Sequence, residues 1–251
     1  MSINENEKSA NLGRCNRRTA WKFLHALGGD EFTFQTFDDD ATRKSRSLVR
    51  VFHGTIDQHC AALENLNAKG AGIFATINRT DGNGRKRDNV VGIRAVFVDL
   101  DGAPLTPIMK WALPPHIVVE SSPARYHAYW LVDDTVALTE FTGLQKKLAK
   151  LFGGDPKVHD LPRVLRLPGF IHRKGGPFRT RLVHHNATLP RYSASKLITA
   201  LVDVSVTDVE RSTRSETPTI DSDQPTRSKT PAIEPDQPGN IQAAVLCVPN
   251  I

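Results

Sequence analysis

The run AVFVDLDG at positions 95–102 sets four apolar residues directly ahead of Asp99 and places Leu100 between Asp99 and Asp101. A strand that is apolar on both faces must be covered on both, so this segment demands a layered fold around it. Residues two apart leave the same face of a strand, which puts the Cα atoms of Asp99 and Asp101 about 6.6 Å apart with both carboxylates on one side. Two hard oxygen donors at a strand end suit one or two Mg²⁺ or Mn²⁺ ions bridged by nucleotide phosphates. The alternative is a solvated turn, since Asp-Gly is common turn chemistry.

The flanking sequence alternates strand and helix patterns. AWKFLHAL (20–27) reads as an amphipathic helix closed by Gly28-Gly29, and EFTFQTF (31–37) as a strand with Phe32, Phe34 and Thr36 on one face. Thr55 and Gln58 form a capping box ahead of a helix carrying Ile56, Cys60, Leu63 and Leu66, which Gly70 stops. GIFATI (72–77) is a strand and NRTDGNGRKRDN (78–89) a mobile basic loop. A short helix is expected near LTPIMKWAL (105–113), and HIVVESS with YHAYWLV reads as a hairpin turning at Ser122-Pro123-Ala124-Arg125. A helix over TVALTEFTGLQKKLAKLF (135–152) ends at Gly153-Gly154. Loop, strand, basic turn and strand then run to His185, and a last helix starts at Ser193 as its N-cap. Hairpins mixed with long helices predict an α+β fold, a mixed or antiparallel sheet with flanking helices.

Three expected segments follow: an unstructured start (1–18), a folded body (19–202) and a disordered tail (203–251). The tail holds six prolines, eleven Ser/Thr and no aromatic residue, too little apolar surface to offset the entropy of ordering. It also carries four basic and eight acidic side chains, which leaves residues 1–202 with 29 basic and 19 acidic ones. Such a body suits a polyanionic partner, although a basic surface also serves solubility alone. No run approaches the roughly 18–20 apolar residues of a membrane span, and the first 19 residues lack the apolar stretch of a secretory signal, so a cytoplasmic location is expected. Cys15, Cys60 and Cys247 are odd in number and widely spaced, which predicts neither a disulfide framework nor a cysteine zinc site, with Cys60 in the core.

Two further blocks carry chemistry. In SSPARYHAYWLV, Arg125 can pair with a phosphate and His127 can hydrogen-bond one; a lone strand histidine also serves as core structure. In GGDPKVHDLPRVLRLPGFIHRK, Asp155 and Asp160 precede Arg163, Arg166, Arg173 and Lys174. A third carboxylate there would complete a metal site, and the basic groups would neutralise a triphosphate or a template backbone; a surface loop of charge pairs is the plainer reading.

With VFVDLD, SSP followed by YHAYW, and GGDP leading to RVLRLPG and Lys174 in this order, the chain resembles RepB-like plasmid and phage primases of the archaeo-eukaryotic primase-polymerase superfamily over roughly residues 20–200. The resemblance implies primer synthesis on single-stranded DNA from NTPs or dNTPs, with Mg²⁺ or Mn²⁺ held by Asp99, Asp101 and Asp160. Asp160 is favoured for lying nearer the Arg-bearing strand, with Asp155 as the alternative third acid. His127, Arg125, Arg163, Arg166 and Lys174 would hold nucleotide or template phosphates, and a separate helicase or initiator would be a partner. FVDLDGAPL also resembles the first motif of haloacid-dehalogenase phosphohydrolases, but Ala103 replaces the usual Thr, and Asp133-Asp134 precede Lys146 and Lys147. A rolling-circle initiator could use Tyr192 with Lys196, although its His-x-His pair is absent. A nucleic-acid-binding module without catalysis would use the charge and the stacking-capable Tyr126, Tyr129 and Trp130.

Overall fold

The computed structural model describes residues 15–202. In chain order it runs α1 (Arg17–Leu27), β1 (Glu31–Asp38), β2 (Arg50–Thr55), α2 (Ile56–Ala68), β3 (Ala71–Thr76), β4 (Arg79–Thr80), β5 (Val90–Gly92), β6 (Ala95–Leu100), α3 (Thr106–Met109), β7 (Ile117–Ser122), β8 (Arg125–Leu131), α4 (Leu138–Phe152), β9 (Val164–Arg166), β10 (Ile171–His172), β11 (Phe178–Arg179) and β12 (Arg181–His185). Residues 194–202 form α5.

Two four-stranded sheets, ordered β2-β1-β3-β9 and β12-β7-β8-β6, carry the domain, with two-stranded pairs β10-β11 and β4-β5 beside them. Every named pairing is antiparallel, as the α+β reading requires. One apolar cluster runs through both sheets and the helices against them. Phe23 of α1 meets Tyr129 of β8 edge-on at 5.3 Å between centroids, Phe97 of β6 meets Phe141 of α4 at 5.8 Å, and Trp130 stacks on Phe152 at 5.7 Å. Such aromatic pairs add about 0.5–1.5 kcal/mol beyond the area they bury.

Local chemistry set most of these elements. The Thr55 hydroxyl accepts from Gln58 N at 3.2 Å and the Gln58 side chain accepts from Thr55 N at 2.9 Å, closing the expected capping box. The Ser193 hydroxyl accepts from Lys196 N at 3.3 Å at the start of α5. Several bounds moved. Asn16 caps α1, so the helix begins inside the stretch expected to be unstructured. The helix expected from Thr135 starts at Leu138 because Thr135 is taken into a turn on the Asp133 carboxylate. The helix expected near 105–113 is a single turn. The basic stretch at 78–89 is pinned by the pairing of β4 with β5, and RVFHGT, unassigned from sequence, pairs as β2 with Glu31–Thr36 of β1. Its outer residues are exposed, so it lacks the apolar run that marks a strand. The tail at 203–251 lies outside the described residues. Among the described residues, no helix is long and apolar enough to cross a membrane.

β6 ends its sheet, yet its outer edge is not open. The Phe97 N–H, turned away from β8, donates to Gln145 Oε1 of α4 at 2.8 Å, and Gln145 is fully buried. Removing the amide while keeping the bulk, Gln145→Leu, leaves a buried backbone donor without an acceptor, so a loss of about 1–3 kcal/mol in urea unfolding is expected.

Candidate active site

The second outward group of β6 is the Asp99 carbonyl, which accepts from Asp155 N at 2.9 Å. The chain reaches that position through Gly153, left-handed at φ 65°, and Gly154, whose N–H caps the Ala149 carbonyl of α4 at 2.9 Å. A Cβ on Gly154 would stand 2.5 Å from Val98 Cγ1 and 3.1 Å from the Asp99 carbonyl. The two glycines therefore let the helix end lie flat on the strand that carries the acids.

On the inner side, Asp99 faces His127 of β8 across the ladder. Since the outward groups of Phe97 and Asp99 are engaged elsewhere, this is a pair without mutual backbone bonds, the kind whose side chains approach most closely. His127 Nε2 lies 3.5 Å from Asp99 Oδ1. Its Nδ1 is 3.3 Å from the Tyr129 hydroxyl. Burial raises the Tyr129 pKa and the Asp99 charge adds to that, so the phenol keeps its proton and donates to Nδ1, leaving the Nε2–H toward Asp99. Burial lowers the His127 pKa below its usual 6.5; Asp99 opposes the shift and Arg166 adds to it. His127 is thus held as a neutral donor.

Asp101, the residue directly after the strand, is exposed and pairs with Arg125 Nε at 2.8 Å. Arg166 of β9 comes from the other sheet. It forks onto Asp39, at 2.8 Å and 3.1 Å, and lies 4.7 Å over the Phe74 ring. Asp39 is buried and also accepts from Arg173 N at 2.8 Å. The pair presses against Gly72, where a Cβ would fall 2.4 Å from Asp39 Oδ1 and 2.7 Å from Arg166 Nη1. His172 stands beside it, its Nε2 donating to the Lys174 carbonyl at 2.8 Å and its Nδ1 buried without a partner. Burial, then the Arg166 charge, lower its pKa.

The remaining basic residues divide. Arg163 pairs with Asp160 and hydrogen-bonds the Lys157 carbonyl at 2.5 Å, and Arg85 feels both Asp160 and Arg163. Lys174 is exposed on the turn after β10. The structure thus gathers Asp99, Asp101, Arg125 and His127 with the Asp155 backbone at the β6–β8 end. Asp160 and Arg163 form a separate ion pair. Asp39 and His172 escaped the sequence reading: Asp39 sits in an acidic run, FDDDATR, that looks like solvated loop, and no local signal marks its partner 127 residues away.

Residues 96–209 match the profile of the RepB DNA-primase N-terminal domain. That stretch, somewhat under half of the chain, is what is similar to RepB-type primases. Solved structures share the architecture. The AEP domain of the cyanophage S-2L primase-polymerase aligns with a TM-score of 0.62 at 20% identity, over 75% of this chain and 99% of that one. The catalytic domain of the primase RepB′ in complex with initiator DNA aligns with a TM-score of 0.55 at 23% identity, over 80% and 98%. A second structure of primase RepB′ gives 0.57 at 19% identity, over 78% and 66%. At these identities the likeness is one of fold. No curated protein matches the chain. The matched stretch begins within β6, so Asp39 and Gly72, which brace Arg166, lie outside it.

Two outcomes follow from the site as built. Asp39→Ala leaves the Arg166 guanidinium largely out of solvent without its carboxylate, and breaking one partner of such a pair should cost about 3 kcal/mol in urea unfolding. His127, His116 and His172 all have folded-state pKa values lowered by burial. Between those values and 6.5 the unfolded chain binds more protons than the folded one, so stability falls as pH drops below about 6.5 and levels off above it. Chemical denaturation from pH 5 to 8 should show that slope, reduced in His116→Gln.

Proposed function

We propose that this domain makes primers on single-stranded DNA by nucleotidyl transfer, joining the 3′-hydroxyl of one nucleotide to the α-phosphorus of the next with loss of pyrophosphate. The observation that carries the reading is the Asp99–His127 pair at the closed β6–β8 end, inside the residues that match a primase profile. The donor set suits a hard divalent cation: Asp99 and Asp101 project from one strand end, and Asp155 adjoins Asp99 through its backbone. Mg²⁺ or Mn²⁺ held there would neutralise charge on the attacking and leaving oxygens.

Asp99 and Asp101 are assigned as ligands, with Asp155 preferred to Asp160 as the third acid. Support for Asp155 is its 2.9 Å bond to the Asp99 carbonyl, while Asp160 is engaged by Arg163. Arg125, now holding Asp101, would exchange that carboxylate for a nucleotide phosphate once the acid turns to a cation. His127, neutral and donating through Nε2, would hold a phosphate oxygen without adding charge. Arg166, kept rigid by Asp39, would present its field to the triphosphate, and Arg163 and Lys174 would contact template phosphates. Single-stranded DNA, NTPs or dNTPs, and a separate helicase or initiator are the partners of this reading, in plasmid or phage replication.

The test is incorporation of labelled nucleotides on primer-free single-stranded DNA with Mg²⁺ or Mn²⁺. Asp99→Ala, Asp101→Ala and Asp155→Ala should each lose roughly a hundredfold or more in rate, as removal of transition-state stabilisers does. Asp160→Ala should lose far less, and DNA binding should persist in all four. Equal losses in Asp160→Ala and Asp155→Ala would refute the preference for Asp155. Binding without product in the wild type would indicate a module that holds DNA without catalysis.

A further inference from the structure

Away from the β6–β8 end, the chain just ahead of α1 meets α2. Cys15 Sγ donates to Glu64 Oε1 at 2.5 Å, and Cys60 Sγ, one helical turn from Glu64, donates to the same oxygen at 3.8 Å. Among the described residues, these are the three metal-type donors whose ligand atoms all lie within 4.8 Å of one another. We propose that Cys15, Cys60 and Glu64 form a site for a soft divalent cation of the Zn²⁺ class, clamping the segment before α1 to α2. No local pattern marks it, because the two cysteines stand 45 positions apart and lack any Cys-x-x-Cys spacing.

Geometry and charge both fit. Zinc bonds of about 2.3 Å to sulfur and about 2.0 Å to a carboxylate oxygen put tetrahedral donors roughly 3.5–3.8 Å apart, which Cys60 and Glu64 already match at 3.8 Å and which Cys15 reaches by drawing back about 1 Å from the Glu64 oxygen. Cys60 and Glu64 share one helix face at i and i+4, so α2 supplies two ligands without rearrangement. Arg17 forks onto Glu64 with both contacts at 2.6 Å. The three negative charges of two thiolates and a carboxylate are balanced by a divalent cation together with that guanidinium. A shared thiol acceptor alone leaves this cluster poorly solvated: burial, with Glu64 adding, pushes the Cys15 thiol up to about 12, and Cys60 moves the same way. Uptake therefore releases two protons as both thiols become thiolates, while Glu64, held down to about 2 by Arg17, is already ionised. Cys15 is only partly buried, so water would complete the fourth position. A disulfide between the two sulfurs would need neither the carboxylate nor the arginine.

Cobalt tests the site. The full-length protein carrying Cys247→Ser, reduced and stripped of metal, is titrated with Co²⁺ without oxygen. One equivalent should produce a thiolate-to-cobalt charge-transfer band, displaced by one equivalent of Zn²⁺. Cys15→Ser, partly exposed and therefore mild for folding, should abolish the band. Glu64→Gln should keep it with roughly tenfold or more weaker binding, the least that losing a group around a metal typically costs. A band that survives Cys15→Ser, or none in protein whose circular dichroism shows it folded, overturns the proposal. So does conversion of both thiols to a disulfide by one equivalent of hydrogen peroxide in the presence of saturating Zn²⁺.

Discussion

The outer edge of β6 governs the rest of the molecule. A terminal strand leaves a row of backbone groups unpaired, and here two of them are closed by different means: Phe97 N–H by the buried Gln145 amide and the Asp99 carbonyl by Asp155 N. Both partners belong to α4 or its exit, so a single helix seals the strand and delivers the next acidic residue beside the first. Gly154 is the condition for this, because any side chain there would strike Val98 and the Asp99 carbonyl.

A second constraint ties the two sheets together. Arg166 comes from the β2-β1-β3-β9 sheet and its charge reaches His127 in the other one. It can lie largely out of solvent because Asp39 meets it with both oxygens and Phe74 supports its face. A guanidinium held by a carboxylate at its edge and an aromatic ring at its face is fixed in direction. The same burial keeps His127 neutral, so the site combines a charged group of fixed position with an uncharged hydrogen-bond donor.

Legibility from sequence followed the range of the interactions. The Asp99 and Asp101 pair, the capping box at Thr55, the N-cap at Ser193 and the β7–β8 hairpin all rest on residues a few positions apart, and each was readable. β2 was missed because pairing with β1, not its own alternation, makes it a strand. Asp39, His172 and the meeting of Cys15 with Cys60 were missed for a related reason: each acquires its role from a partner far along the chain.

What the sequence determined alone was chemistry in a local frame. It fixed which strand ends in two carboxylates, which histidine stands on the next hairpin and which glycines end α4, because periodicity and turn chemistry act over a few residues. Only the tertiary structure decided which groups share a site. Asp155 adjoins Asp99 and Asp160 turns to Arg163, Arg166 is held by Asp39, and Cys15 reaches Glu64. These choices depend on which backbone donors burial leaves unpaired and which charges it forces together, and neither is settled until the sheets have packed.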